Sequence, residues 1–110
     1  MLFRSVVACG EMGRSPRVGK PNDGGNASSS GRDHWETGFA LVAGGGLRTG
    51  QVVGETDRHA ARARGKPFTP QNLLATLYRA LGIDPVRTLP DHTGRPQHLL
   101  DDRDAIADLE

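Results

Sequence analysis

Short apolar runs separated by polar, glycine-rich segments make up most of this chain. Residues 2–9 (LFRSVVAC) and 39–43 (FALVA) each run into glycine and have the length and valine content of interior strands in an α/β sheet. Residues 51–54 (QVVG) predict a third, shorter strand. The polar residues 13–31 predict a flexible loop, and the basic stretch 55–66 (ETDRHAARARGK) predicts a surface connector.

One amphipathic helix is predicted over residues 70–81 (PQNLLATLYRAL). Thr69 supplies an N-cap oxygen, and Pro70 takes the first helical position, where a missing N–H has no cost. Gly82 is placed to end the helix in a left-handed conformation, with Ile83 packing back as in a Schellman cap. Helical spacing gives an apolar face that we expect to cover a sheet, formed by Leu73, Leu74, Leu77, Tyr78 and Leu81. The polar face is expected to point away and carries Gln71, Asn72, Thr76 and Arg79.

Length and composition limit the fold to one small, sparsely apolar domain. The chain has 110 residues, and Leu, Ile, Val and Phe make up about a fifth of them, near the level below which chains tend not to fold alone. A net charge of +1 gives no general argument for a nucleic-acid or acidic partner. No apolar window approaches the ~18 residues of a membrane span. The single Cys9 lies in an apolar run and is expected to fill space in the first strand.

Three polar residues beside the predicted strands are candidates for chemistry. Glu11 directly follows the first strand, and the carboxyl ends of strands form the functional edge of an α/β sheet. The alternative for Glu11 is an exposed loop acid paired with a neighbouring arginine. Asp33 and His34 precede the second strand, and a carboxylate with an imidazole is an ordinary set of divalent-metal ligands. Such a pair also occurs by chance in turns, and the adjacent Trp35 either shields a site or anchors the loop.

A second Asp-His pair and two further motifs favour structural interpretations. Asp91 and His92 lie in a proline-rich turn (PDHTGRP), where the aspartate is expected to cap the turn and the histidine to be exposed. Residues 44–46 (GGG) precede no helix, so they predict a tight strand exit rather than a phosphate-binding loop. Residues 58–66 carry four cationic side chains without interleaved aromatics, so a solvated connector is favoured over a nucleic-acid contact.

The order of these motifs resembles a known family. GE-x-GR-[ST]-P, GRDHW, a strand ending in GGG, G-x-x-x-G-x-TD and PQ-x-LLAT-x-Y-x-x-LGIDP occur together, over about residues 5–100. They resemble the C-terminal part of the domain of unknown function 1501, a bacterial family with a sulfatase-like, alkaline-phosphatase-type fold. The resemblance implies an α/β fold that is incomplete alone: residues 1–100 are expected to be a C-terminal fragment of the sheet with covering helices, and residues 101–110 a loosely held acidic tail.

The resemblance also implies a partial metal site. In alkaline-phosphatase-like enzymes an acidic ligand ends a late strand, and a metal-binding histidine precedes a strand that runs into glycine. Glu11 and His34 occupy those places, with Asp33 either a ligand or a partner that orients His34. Met12 stands where the superfamily usually has a further histidine. The cofactor implied is a divalent metal, Zn, Mn, Ca or Mg.

The function implied is that of part of a metal-dependent phosphate- or sulfate-ester hydrolase. The hydroxyl nucleophile and the early aspartate ligands belong to the N-terminal part of the fold, which is therefore the expected partner, and this chain alone is expected to be inactive. The alternative is a non-catalytic exported scaffold or binding protein that keeps the fold, which Met12 favours. Full-length relatives are expected to be exported. No nucleic-acid partner is expected.

Overall fold

The computed structural model describes residues 4–18 and 32–110, which fall into two compact units. Unit one comprises the described residues of Met1–Val6, Ala43–Val53 and Phe68–Glu110. Unit two comprises those of Val7–Val42 and Gly54–Pro67. No helix among the described residues has the length and apolar character needed to cross a membrane.

Eight short strands and one α-helix form the described part of the chain, a mixture consistent with the α/β class. The strands pair into four two-stranded sheets, β1 with β4, β2 with β3, β5 with β6 and β7 with β8, and the last three pairs are antiparallel. In chain order the elements are β1 Ser5–Cys9, β2 Gly13–Val18, β3 Arg32–Trp35, β4 Ala40–Gly44, β5 Glu55–Thr56, β6 Ala63–Arg64, α1 Pro70–Ala80, β7 Thr88–Pro90, β8 Pro96–His98 and a 3-10 turn at Ala107–Leu109.

Both ends of α1 have the predicted caps. The Thr69 hydroxyl accepts a hydrogen bond from the Asn72 amide, and the Asn72 side chain accepts one from the Thr69 amide at 2.8 Å, which completes a capping box. At the other end Gly82 has φ +77°, its N–H donates to Arg79 O, and the Ile83 N–H donates to Tyr78 O. These two bonds form the Schellman motif. The helix and its boundaries are therefore confirmed.

The buried face of α1 is the opposite of the one predicted. Its buried residues are Asn72, Ala75 and Thr76, whereas Leu74 is exposed and Leu81 is 64% exposed. Residues 102–110, which we call the C-terminal segment, contact this polar face. The segment buries Ile106 and Leu109, so the prediction of a loosely held tail is wrong.

Polar bonds fasten the C-terminal segment to α1. Asn72 Nδ2 donates to Asp102 Oδ2 and to Asp104 O, both at 2.9 Å, and the Ile106 N–H donates to the Thr76 hydroxyl at 2.8 Å. These bonds pair polar groups on α1 with the segment that covers this side of the helix. On the apolar side of α1, Leu74 and Leu81 are exposed, whereas Leu73, Leu77 and Tyr78 are half-buried.

The first and second predicted strands exist, but the expectation that they are buried is wrong. All five residues of β1 are exposed, including Cys9, and Leu41 of β4 is 63% exposed. Among the described strands, β1 and β4 pair only with each other, so they form a two-stranded sheet rather than the interior of a larger one. The predicted residues 2 and 3 of the first strand lie outside the described residues.

Other differences concern short strands. Residues 13–18, predicted as loop, form β2, while residues 19–31 of that predicted loop lie outside the described part. Residues 51–54 form no strand, and Val52 is 93% exposed. The connector 55–66 is mostly exposed as predicted, although β5 and β6 pair within it. Strand β8 ends at His98, and Leu100 is buried outside it.

Candidate functional site

Strands β2 and β3 bring two sequence motifs together. They pair antiparallel with Gly13 opposite Trp35, Arg14 opposite His34 and Val18 opposite Arg32. We call residues 13–18 and 32–35 the β2–β3 ribbon. One strand carries the end of GEMGRSP and the other carries RDHW. The pairing therefore places the sequence-predicted His34 beside the segment that follows Glu11.

The β2–β3 ribbon has two different faces. Side chains alternate between faces along a strand, and residues directly opposite each other share a face. Burial follows this alternation: Arg32 and His34 are exposed while Asp33 and Trp35 are half-buried, and across the pair Arg14 is exposed. On the covered side of β2, Gly13 and Ser15 are buried. One face is thus anchored within unit two, and the other is open to solvent.

A close backbone contact explains why β2 begins at Gly13. A Cβ atom built on Gly13 would lie 1.6 Å from the Thr37 carbonyl oxygen, so only glycine permits this approach. Pro16 lies in the region between Arg14 and Val18 where the register shifts, and proline is tolerated at such bulges. Glycine and proline are both typical of loops, and for this reason the sequence predicts a loop at residues 13–18.

The main chain of Ala61 forms hydrogen bonds at the covered face of the β2–β3 ribbon. Its carbonyl oxygen accepts hydrogen bonds from Trp35 Nε1 at 2.6 Å and from the Thr37 hydroxyl at 3.0 Å. Its N–H donates to Asp57 Oδ1 at 2.8 Å, and the His59 N–H donates to the same oxygen. Of the two roles left open for Trp35, the structure supports anchoring.

Asp57 closes the turn that carries Ala61, and its role is structural. The backbone N–H of Ala61, with a smaller effect from that of His59, holds the pKa of the Asp57 carboxyl below its usual value, although partial desolvation opposes this. The carboxylate therefore stays charged and keeps the turn at residues 57–61 closed. The signal that could have found it is the TD pair of G-x-x-x-G-x-TD.

The three predicted metal ligands lie at neighbouring positions of unit two. Glu11 is exposed in a bend two residues before Gly13, whose partner Trp35 follows His34. The His34 side chain is on the exposed face of the ribbon. Asp33 Oδ1 accepts a hydrogen bond from the main-chain N–H of His34 at 2.7 Å, so this carboxylate contacts the backbone of His34. Within residues 4–18 and 32–110, no group of three or more His, Cys, Asp or Glu side chains is arranged to hold a metal ion.

The second Asp-His pair is structural, as predicted. Asp91 Oδ1 accepts hydrogen bonds from the Thr93 N–H and hydroxyl, both at 2.7 Å, and from the Arg95 N–H at 3.0 Å. The Thr93 hydroxyl and these amides hold the pKa of Asp91 below its usual value. His92 is exposed in the turn between β7 and β8. This histidine therefore provides a natural comparison for His34.

The remaining motifs are placed as surface or turn elements. β4 ends at Gly44, and residues 44–46 all have positive φ, which confirms the tight strand exit. A Cβ on Gly44 would lie 2.1 Å from Arg4 O, so glycine is also required by space. In the basic connector, Glu55 lies opposite Arg64, and Arg58 Nε donates to His59 Nε2 at 2.9 Å.

The described residues form a small protein with mixed α and β structure, in which two polar sequence motifs lie on the paired strands β2 and β3. The sequence profile of the family described as protein of unknown function (DUF1501) matches residues 5–109. The chain belongs to this family. No curated protein and no solved structure matches the sequence of this chain significantly. The family description names no activity.

Proposed function

We propose that this chain is part of a metal-dependent hydrolase of phosphate or sulfate esters with an alkaline-phosphatase-type fold. Glu11 and His34 are the proposed metal ligands, and Asp33 is secondary to them. The observation that carries the proposal is the pairing of β2 with β3, since it joins the motifs GEMGRSP and RDHW and leaves the His34 side chain exposed. The alkaline-phosphatase-type fold rests on the resemblance of the motif order.

The donor types fit a divalent metal, but their number does not complete a site. Imidazole and carboxylate suit Zn or Mn, while Mg and Ca prefer oxygen ligands. Two or three such side chains leave a metal without a full protein ligand set, in agreement with the lack of a three-donor cluster among the described residues. We therefore propose that Glu11 and His34 contribute ligands to a site completed by an N-terminal part of the same domain.

Asp33 is proposed to act through the backbone of β3. Its carboxylate accepts the His34 N–H, which fixes the main chain from which the imidazole projects. The Trp35 bond to Ala61 fixes the next residue on the opposite face. Both neighbours of His34 are therefore restrained, which fixes the stretch of β3 main chain that carries the imidazole on the exposed face.

A second candidate function is a non-catalytic binding scaffold. The observation that favours it is Met12, an exposed thioether at the position where the superfamily usually has histidine. A thioether is a poor ligand for hard or borderline divalent ions. The scaffold proposal expects no effect of divalent metal on the β2–β3 ribbon.

Paramagnetic Mn²⁺ tests the two candidates. In ¹H–¹⁵N spectra of the chain, we expect sub-stoichiometric Mn²⁺ to broaden amide signals around Glu11 and His34, and Zn²⁺ to compete with it. His34→Ala should remove the broadening, Glu11→Gln should weaken it, and the matched control His92→Ala should leave it unchanged. Broadening that is absent from the ribbon, or equal in both histidine variants, would refute the metal proposal and favour the scaffold.

Activity measurements test the incompleteness of the site. The chain incubated with aryl phosphate or aryl sulfate and Zn, Mn, Mg or Ca is expected to show no turnover. Robust turnover that His34→Ala abolishes would contradict the proposal that these residues provide only part of a catalytic site.

A further inference from the structure

The exposed face of the β2–β3 ribbon carries two arginines beside His34. Arg32 and His34 alternate with half-buried residues along β3, and Arg14 lies directly opposite His34. Register and burial thus place the same three side chains on one face by independent observations. Both arginines belong to the family motifs, GEMGRSP and GRDHW.

We propose that this exposed face binds an oxyanion, with Arg14 and Arg32 holding the phosphate or sulfate group of an ester beside His34. The inference rests on the proposed function in taking such an ester as the ligand. A guanidinium group has five N–H donors in a planar arrangement that matches two oxygens of a phosphate or sulfate. Charge-assisted bonds of this kind are stronger than neutral ones.

The hydrogen bonds of the ribbon leave donors available for such a ligand. Arg14 Nη1 donates to the main-chain oxygen of Arg32 at 3.2 Å, which draws the Arg14 guanidinium across to β3. One of its five N–H groups is needed for that bond, so the others can face an anion. Arg32 accepts this bond with its main-chain carbonyl oxygen. Its guanidinium group is not involved in the bond and offers further N–H donors.

Among the described residues, the acidic side chains near the ribbon lie off this face. Asp33 is on the half-buried face, and its carboxylate is occupied by the His34 N–H. Glu11 and Glu36 lie beyond the paired residues, in the bends that flank the ribbon at the Gly13 and Trp35 end. An anion held between Arg14 and Arg32 therefore meets cationic side chains first, with the carboxylates at one end.

Anion titrations followed by NMR test the proposal. The ¹⁵N-labelled chain in EDTA at constant ionic strength is titrated with phenyl phosphate, phenyl sulfate and inorganic phosphate, and with chloride as the blank. We expect saturable shifts of the amides of residues 14, 32 and 34. Arg14→Gln and Arg32→Gln should each weaken binding by about three- to tenfold, because each removes charge-assisted bonds at an exposed site. The matched control Arg95→Gln, an exposed arginine of the β7–β8 turn, should bind as wild type.

The outcomes separate this proposal from the metal proposal. Because EDTA removes divalent ions, saturable binding here with no Mn²⁺ effect on the ribbon would support the oxyanion site while the metal proposal fails. Equal affinity for inorganic phosphate and phenyl phosphate would support recognition of the anionic group itself. Shifts that do not saturate, that map elsewhere, or that Arg95→Gln weakens as much as Arg14→Gln would overturn the proposal. Far-UV circular dichroism and tryptophan fluorescence establish that each variant is folded, and Arg32→Gln retains the carbonyl that Arg14 contacts.

Discussion

Replacing Thr76 with valine tests whether polar bonds hold the C-terminal segment on α1. Thr76 is fully buried; its hydroxyl donates to Asn72 O and accepts from the Ile106 N–H, both at 2.8 Å. Valine has nearly the same shape, so the packing volume is conserved. Asn72 O keeps its ordinary helical partner, the N–H four residues later. The main loss is the Ile106 N–H, which is left buried without an acceptor.

The expected loss of stability in Thr76→Val follows from the unsatisfied Ile106 N–H alone. Leaving a buried donor unsatisfied costs about 1–3 kcal/mol, so Thr76→Val should lower the free energy of unfolding by that amount. Urea unfolding followed by far-UV ellipticity measures the change, because α1 lies in the same unit as the segment. Hydrogen exchange at the Ile106 amide should accelerate as well. The matched control is Thr88→Val, at an exposed position of β7, which should change stability by less than about 0.5 kcal/mol.

Two results together would refute this reasoning. If Thr76→Val and Thr88→Val differed by less than about 0.5 kcal/mol, the hydroxyl would not be important to the folded state. If Ile106 exchange were also unchanged, the C-terminal segment would be held by the burial of its apolar side chains rather than by its bonds to α1.

Three further perturbations probe other parts of the chain. Gly13→Ala should prevent the pairing of β2 with β3, because its Cβ would overlap the Thr37 carbonyl, and a red shift of the tryptophan fluorescence would report it, whereas a wild-type spectrum would contradict it. Gly82→Ala should lower stability by about 1 kcal/mol in thermal unfolding, since φ is +77° there, and an unchanged Tm would count against the Schellman cap. The Thr93 hydroxyl holds the pKa of Asp91 below its unfolded value, so its stabilisation is present above about pH 4 and lost as pH falls through the native pKa. Asp91→Asn should remove this part of the acid dependence of the urea midpoint, and an identical acid dependence would exclude it.

Local signals in the sequence were sufficient to predict α1. Its N-cap, first-turn proline and Gly82 terminator act within a few residues, and the structure has each of them. The face of α1 that is buried could not be predicted in the same way. Hydrophobicity indicates which face should be covered, but the cover in this unit is a polar, acidic segment that bonds to Asn72 and Thr76. Those bonds join residues about thirty positions apart, and no periodicity reveals them.

Strand β2 illustrates a different limit. Its residues, GRSPRV, lack the alternation of apolar side chains that predicts strands, and they include a proline. The strand exists because Gly13 allows a close approach to Thr37 and because β3 supplies a partner. Pairing of this kind is a property of two segments together, so composition alone predicted loop.

The candidate site was predictable as a set of residues but not as an arrangement. Sequence order and the family resemblance selected Glu11, Asp33 and His34, and the contrast between the two Asp-His pairs was predicted from their contexts. The positions of Arg14 opposite His34 and of Trp35 against Ala61 depend on register and on a distant turn. Those contacts required the three-dimensional structure.

The Trp35 indole and α1 also give the molecule two independent optical probes. The single tryptophan lies in unit two, bonded to Ala61, and α1 lies wholly within unit one. Fluorescence therefore follows the melting of one unit, and far-UV ellipticity is weighted toward the other. Coincident unfolding curves would mean that the units melt as one cooperative body, and separated curves would give each unit its own free energy of unfolding.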